Sequence, residues 1–189
     1  MLRDILPALK SVGKDYALGG AIAMALRGVV RDTLDLDVFA MERVKGKLLS
    51  AIYQVGYRIE PVFEPFHYVA RPPWRTSNPE VRVDLMFPAA DPEYSGVKGA
   101  EPVQVKRGVQ VRVFTNLLVA LTRVYSDNPK HKLDLLLMYN RGALPYDEIM
   151  RVLKIHDPDM AKVFPRQMKR LVTEYRFKAV RRKWKRPMQ

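Results

Sequence analysis

The sequence predicts an α/β (α+β) protein, a small mixed sheet flanked by helices and followed by a C-terminal helical region. Three observations carry this. Up to about residue 113, short strand-like segments alternate with segments of helical period. From residue 114 onward, every apolar pattern has helical spacing. Charge divides along a similar line: residues 1–94 hold 12 Lys/Arg against 12 Asp/Glu, whereas residues 95–189 hold 21 against 8, so the second half carries the whole net charge of +13. We therefore expect an α/β core over residues 1–113 and a helical, basic region over residues 114–189.

The elements follow in order. Leu2, Ile5, Leu6 and Leu9 recur at helical spacing over Leu2–Val12, and Gly13-Lys14-Asp15 ends that helix. Tyr16-Ala17-Leu18 suits a buried strand, Gly19-Gly20 terminates it, and Ala21–Leu26 is built of good helix formers closed by Gly28. Leu34–Phe39 alternates strictly, with Leu34, Leu36 and Val38 on one face and Asp35, Asp37 and Phe39 on the other. Glu42–Val55 reads as a helix. Strands are expected at Tyr57–Val62, Phe66–Ala70, Val81–Phe87 and Val109–Val113, with Pro72, Pro73, Asn78 and Pro79 marking a loop before the third. Thr115 or Asn116 is placed to cap a helix reaching about Tyr125; residues 130–140, 146–155 and 158–183 suit further helices.

Composition excludes several classes. Cysteine is absent, so there are no disulfides or thiolate zinc sites, in keeping with a cytoplasmic protein. The histidines at 67, 131 and 156 show no HxxxH or HExxH spacing. No apolar run approaches the roughly 20 residues that span a bilayer. MLRDILPALK contains Asp4 and lacks a small-residue cleavage site, so it reads as a surface helix rather than a signal peptide. From Arg176 onward there are seven basic residues and no acid, which favours a polyanionic partner, most simply RNA or DNA, or else a solvated tail.

Asp35 and Asp37 pose a physical problem. One residue apart in a strand, their carboxylates point to one side and repel unless a positive charge lies between them. Asp84 is a third acid in an apolar strand: Val81, Val83 and Leu85 form one face of that segment, and Arg82, Asp84 and Met86 the other. Carboxylates are the hard oxygen ligands that suit magnesium, which usually shares its shell with substrate phosphates. Gly19-Gly20, between strand and helix, offers backbone N–H groups to a phosphate. Fourteen residues separate Gly20 from Asp35, enough for one helix and a return to the adjacent strand. Trp74 could stack on a base or anchor a loop, Tyr139 and Tyr146 could line a base pocket or pack in the core, and His67 reads as an ordinary strand residue.

The string Gly19-Gly20, then Arg31-Asp32-Thr33-Leu34-Asp35-Leu36-Asp37, resembles the signature of polymerase-beta-like nucleotidyltransferases: a GG or GS turn, then R-x-T-x-D-hydrophobic-D. Asp84 matches the third acid. The resemblance implies that Asp35, Asp37 and Asp84 hold two magnesium ions, with manganese as the alternative, and that a nucleotide passes from a nucleoside triphosphate to a hydroxyl with loss of pyrophosphate. Gly19, Gly20, Arg31 and Thr33 would then belong to the nucleotide site, and Asp84 would help activate the acceptor. The segment FTNLLVALTRVYSDNPKHKLDLLLM is similar to that of abortive-infection (AbiEii-type) toxins, with Lys130 and Asp134-Leu135 in their pattern. It departs from the pattern at Arg123, Asn128 and His131. Lys130 or Lys132 could reach the triphosphate as a point charge. Three functions remain open on these grounds: a transferase acting on RNA, tRNA or a protein, as in a toxin with an antitoxin partner; an aminoglycoside-type transferase, against which the surplus of positive charge argues; and a non-catalytic RNA- or nucleotide-binding protein.

Overall fold

The computed structural model describes residues 1–73 and 81–184, with side chains to residue 175. Trp74 and the basic cluster from Arg176 onward lie outside the described side chains. The chain divides into two compact units, Met1–Thr122 and Arg123–Gln189.

The first unit runs α1 (Leu2–Ser11), β1 (Tyr16–Leu18), α2 (Gly20–Leu26), β2 (Asp35–Ala40), a 3-10 turn (Glu42–Val44), α3 (Lys45–Gln54), β3 (Arg58–Phe63), β4 (His67–Arg71), β5 (Arg82–Met86), α4 (Glu93–Gly99), β6 (Glu101–Lys106) and β7 (Val109–Val113). The strands form one mixed sheet in the order β3-β4-β5-β2-β1-β7-β6, parallel at β2/β5 and β1/β7 and antiparallel elsewhere. The strict alternation of β2 and β5 decides their burial. Leu36, Val38, Val83 and Leu85 are at most 2% exposed; each contributes about 1.5–3 kcal/mol by leaving water. The opposite face carries the acids. Helices α1 and α3 pack together through buried Ile5, Leu9, Leu48 and Ile52.

The expected strands at 57–62, 66–70 and 81–87 appear with their ends shifted by about one residue, the scatter usual at element ends. The helix expected from Glu42 opens instead as the 3-10 turn. Two elements had no counterpart in the sequence reading, α4 and β6. Pro102 lies in β6, which tolerates it because this is an edge strand.

In the second unit, α5 (Asn116–Val124), which begins in the first, leads to α6 (Pro129–Asn140), α7 (Tyr146–His156) and α8 (Pro158–Trp184). Thr115 caps α5 by accepting from the Leu118 amide at 3.3 Å. Asn128 caps α6 by accepting from the Lys130 amide at 2.9 Å, with Pro129 at the first helical position. Arg123 Nε donates to Asp134 Oδ2 at 3.4 Å, and both side chains are buried. Tyr146 stacks on Phe164 with ring centres 5.5 Å apart, while Tyr139 is about half exposed. Among the described residues no helix is long and apolar enough to cross a membrane.

Candidate active site

The site is built from the pleat of two parallel neighbours. In the register of β2 and β5, Asp35 lies opposite Arg82, Asp37 opposite Asp84, and Phe39 opposite Met86. Residues directly opposite share a face, so all three acids and Arg82 stand on one side of the sheet. The β4/β5 register sets Met86 opposite His67, which brings that histidine to the same face.

Each acid is held differently. The Thr33 hydroxyl donates to the Asp35 carboxylate, fixing the first acid from the loop that enters β2. Arg31, in the same loop, donates to the Asp32 carbonyl at 3.0 Å. The Asp37 carboxylate lies against the start of α2. Gly20 has φ +57°, and a Cβ there would fall 1.6 Å from Asp37 Oδ2. A Cβ on Gly19 would strike the Phe39 ring at 2.4 Å. Both glycines therefore make room for the chain's own side chains, a reason additional to the phosphate approach expected of them. The Gly19 amide itself donates to the Asp37 carbonyl at 2.9 Å.

Asp84 is the most enclosed, its side chain 7% exposed. Arg82 Nε donates to its Oδ2 at 2.8 Å, and His67 Nε2 lies 3.0 Å from its Oδ1. Asp84 chiefly, with Asp35 and Asp37 adding to the field against the opposing cost of burial, raises the Arg82 guanidinium above the usual arginine range. The i, i+2 spacing of Arg82 and Asp84 is a local signal that they share a face. His67, read as an ordinary strand residue, instead touches the third acid; its contact depends on a pairing 17 positions away in sequence, and no local pattern announces it.

The donor set fits a hard divalent cation: three carboxylates on one face, two of them half-buried, already drawing a positive charge onto themselves. As they stand, no group of three acids or histidines among the described residues converges on one ion position. Lys130 and Lys132 belong to α6 in the second unit. Lys130 is exposed, and Lys132 Nζ donates to Asp127 Oδ1 at 3.1 Å.

The path of the chain matches known structures. It superposes on ANT(2")-Ia, solved in complex with adenylyl-2"-tobramycin, with a TM-score of 0.54 and 16% identity over 92% of this chain and 96% of that one. The chain has the nucleotidyltransferase fold. A second match is an H. pylori protein assigned as a nucleotidyltransferase, with a TM-score of 0.53 and 18% identity over 92% of this chain and 77% of that one. The sequence matches no protein-family profile and no curated protein.

Proposed function

We propose that the chain is a metal-dependent nucleotidyltransferase, moving a nucleoside monophosphate from a nucleoside triphosphate to a hydroxyl acceptor with release of pyrophosphate. The observation that carries this reading is the β2/β5 register, which sets Asp37 opposite Asp84 and Asp35 on the same face, beside the Gly19-Gly20 turn. Asp35, Asp37 and Asp84 would hold magnesium or manganese, which when bound neutralises triphosphate charge and activates the attacking oxygen. Asp84 accepts the proton of the acceptor hydroxyl at a carboxylate oxygen, with His67 fixing the carboxylate plane. The deprotonated acceptor oxygen bonds to the α-phosphorus as the bond to pyrophosphate breaks. Because the Gly19 amide is engaged by Asp37, phosphate contact at the turn falls to Gly20. Thr33 positions Asp35, and Arg31 belongs to the same loop.

The acceptor we favour is RNA, tRNA included, because 21 basic residues against 8 acids in residues 95–189 suit a polyanion. A small-molecule acceptor is the second reading, favoured by the likeness to a structure solved with an adenylylated aminoglycoside. A protein acceptor, and a toxin role of the AbiEii type with an antitoxin partner, are tested alongside. Each labelled triphosphate is incubated with magnesium and total RNA, with an aminoglycoside, or with cell extract, using the wild type and Asp37→Asn. We expect labelled RNA with the wild type alone; labelled drug or labelled protein would select the other acceptors. No product in any arm, together with no nucleotide binding by calorimetry, would refute the transferase. A toxin should slow bacterial growth when expressed, and Asp37→Asn should abolish the effect.

A further inference from the structure

We propose that Arg82 is the built-in counter-cation of the acid face: its guanidinium takes the place beside Asp84 that a divalent ion would need, and an ion can engage all three acids only after Arg82 has swung away. The inference rests on the metal-binding part of the proposed function. It follows from the register. Arg82 stands opposite Asp35 and two residues before Asp84 on the same face, and its Nε bonds Asp84 Oδ2 at 2.8 Å.

Asp37 and Asp84 face one another across adjacent strands, a pairing of like charges that is unfavourable in itself. Arginine cannot relieve its own charge by losing a proton, so it can leave the acids only by moving. It can move, because its side chain is 36% exposed whereas that of Asp84 is 7% exposed. His67 holds the other oxygen, Oδ1, at 3.0 Å. Departure of Arg82 therefore frees Oδ2 while the carboxylate keeps its orientation. In this arrangement Arg82 is a positioning residue that competes with the ion.

The test is Mn²⁺ binding to the full chain without nucleotide, followed by the loss of the free-ion electron paramagnetic resonance signal. The wild type is compared with Arg82→Gln and Arg82→Lys. A charge-assisted hydrogen bond no longer has to be broken in Arg82→Gln, so its affinity should rise about 10- to 100-fold. Arg82→Lys, which keeps the charge, should fall between the two. The metal-free Arg82→Gln protein should also melt earlier than the wild type and recover on saturation with Mn²⁺. A residue that merely supported the fold would weaken binding when replaced. Equal or weaker binding by Arg82→Gln overturns the proposal, as does a failure of either protein to bind the ion at millimolar concentration.

If Arg82→Gln does not fold, the wild type alone decides. Saturating Mg²⁺ should shift the Arg82 Nε–H resonance and speed its solvent exchange, and an unchanged resonance under demonstrated Mg²⁺ binding overturns the proposal. Failure of the transferase reading looks different: metal binding and Arg82 release would persist with no nucleotide transferred.

Discussion

Replacing Gly20 by alanine should damage the site more than its conformational cost alone would. Two penalties are separable there. The first is backbone strain, since at φ +57° a residue with a Cβ costs about 1–2 kcal/mol. The second is steric. The new Cβ falls 1.6 Å from Asp37 Oδ2, and with ordinary contact near 3.5 Å the carboxylate must retreat by about 2 Å. Overpacking of this kind costs about 1–3 kcal/mol, so Gly20→Ala should lose about 2–5 kcal/mol in all. Gly13 is the internal control, because it has φ +64° and nothing lies within 4 Å of where its Cβ would stand, so Gly13→Ala should show only the strain. Urea denaturation followed by circular dichroism measures both. In an Asp37→Ala background only the 3.3 Å contact with the Cβ of residue 37 remains, and Gly20→Ala should then cost little more than Gly13→Ala, a coupling of at least about 1 kcal/mol. A displacement of about 1 Å already costs roughly 100-fold in a positioned catalytic group, so the nucleotide transfer proposed above should fall by at least that factor. If Gly20→Ala and Gly13→Ala are equally destabilising, within about 0.5 kcal/mol, the close packing of Asp37 on the turn is refuted.

Two further outcomes concern stability away from the site. Arg123→Met leaves the wholly buried Asp134 carboxylate without its arginine and should destabilise the protein by about 3–5 kcal/mol; Arg123→Met with Asp134→Leu should recover most of that loss in the same denaturation assay. Asp15 is held below the ordinary aspartate range chiefly by its hydrogen bonds to Arg43, at 2.5 and 2.9 Å. A depressed folded-state value contributes stability above the ordinary range and loses it as pH falls through the lowered value. Arg43→Gln should therefore melt slightly earlier than the wild type at pH 7, and the gap should close as pH drops below about 4. A gap that is unchanged in acid would contradict the pairing.

What could be read from the sequence was whatever repeats locally. The period of two in Leu34–Phe39 and in Val81–Phe87 sorts Asp35, Asp37, Arg82 and Asp84 from Leu36, Val38, Val83 and Leu85, and the burial of the second set follows that sorting. Caps are equally local, and Thr115 does cap α5. What was not legible depends on partners far along the chain. Nothing near His67 signals that β4 will slide beside β5 in a register that sets it on Asp84. The edge strand β6 hid its alternating Val103 and Val105 behind Glu101 and Pro102, residues that a central strand would exclude and an edge strand accepts.

The same distinction explains why the acids and the glycines belong to one problem. A strand that places two carboxylates on one face, opposite a third on its neighbour, gains no stability from them unless each is answered locally. Thr33 answers Asp35, the bend at Gly20 gives Asp37 its room, and Arg82 with His67 answers Asp84. An apolar or neutral residue at any of the three acid positions would meet the demands of the sheet more simply, because the other face already supplies the core. Placing three acids on one face is therefore a cost to the fold, and the metal site proposed above would give it a use. The answering groups differ in kind: a hydroxyl bonds Asp35 and a glycine bend makes room for Asp37, whereas Asp84 is bonded to a full positive charge on a side chain long enough to leave.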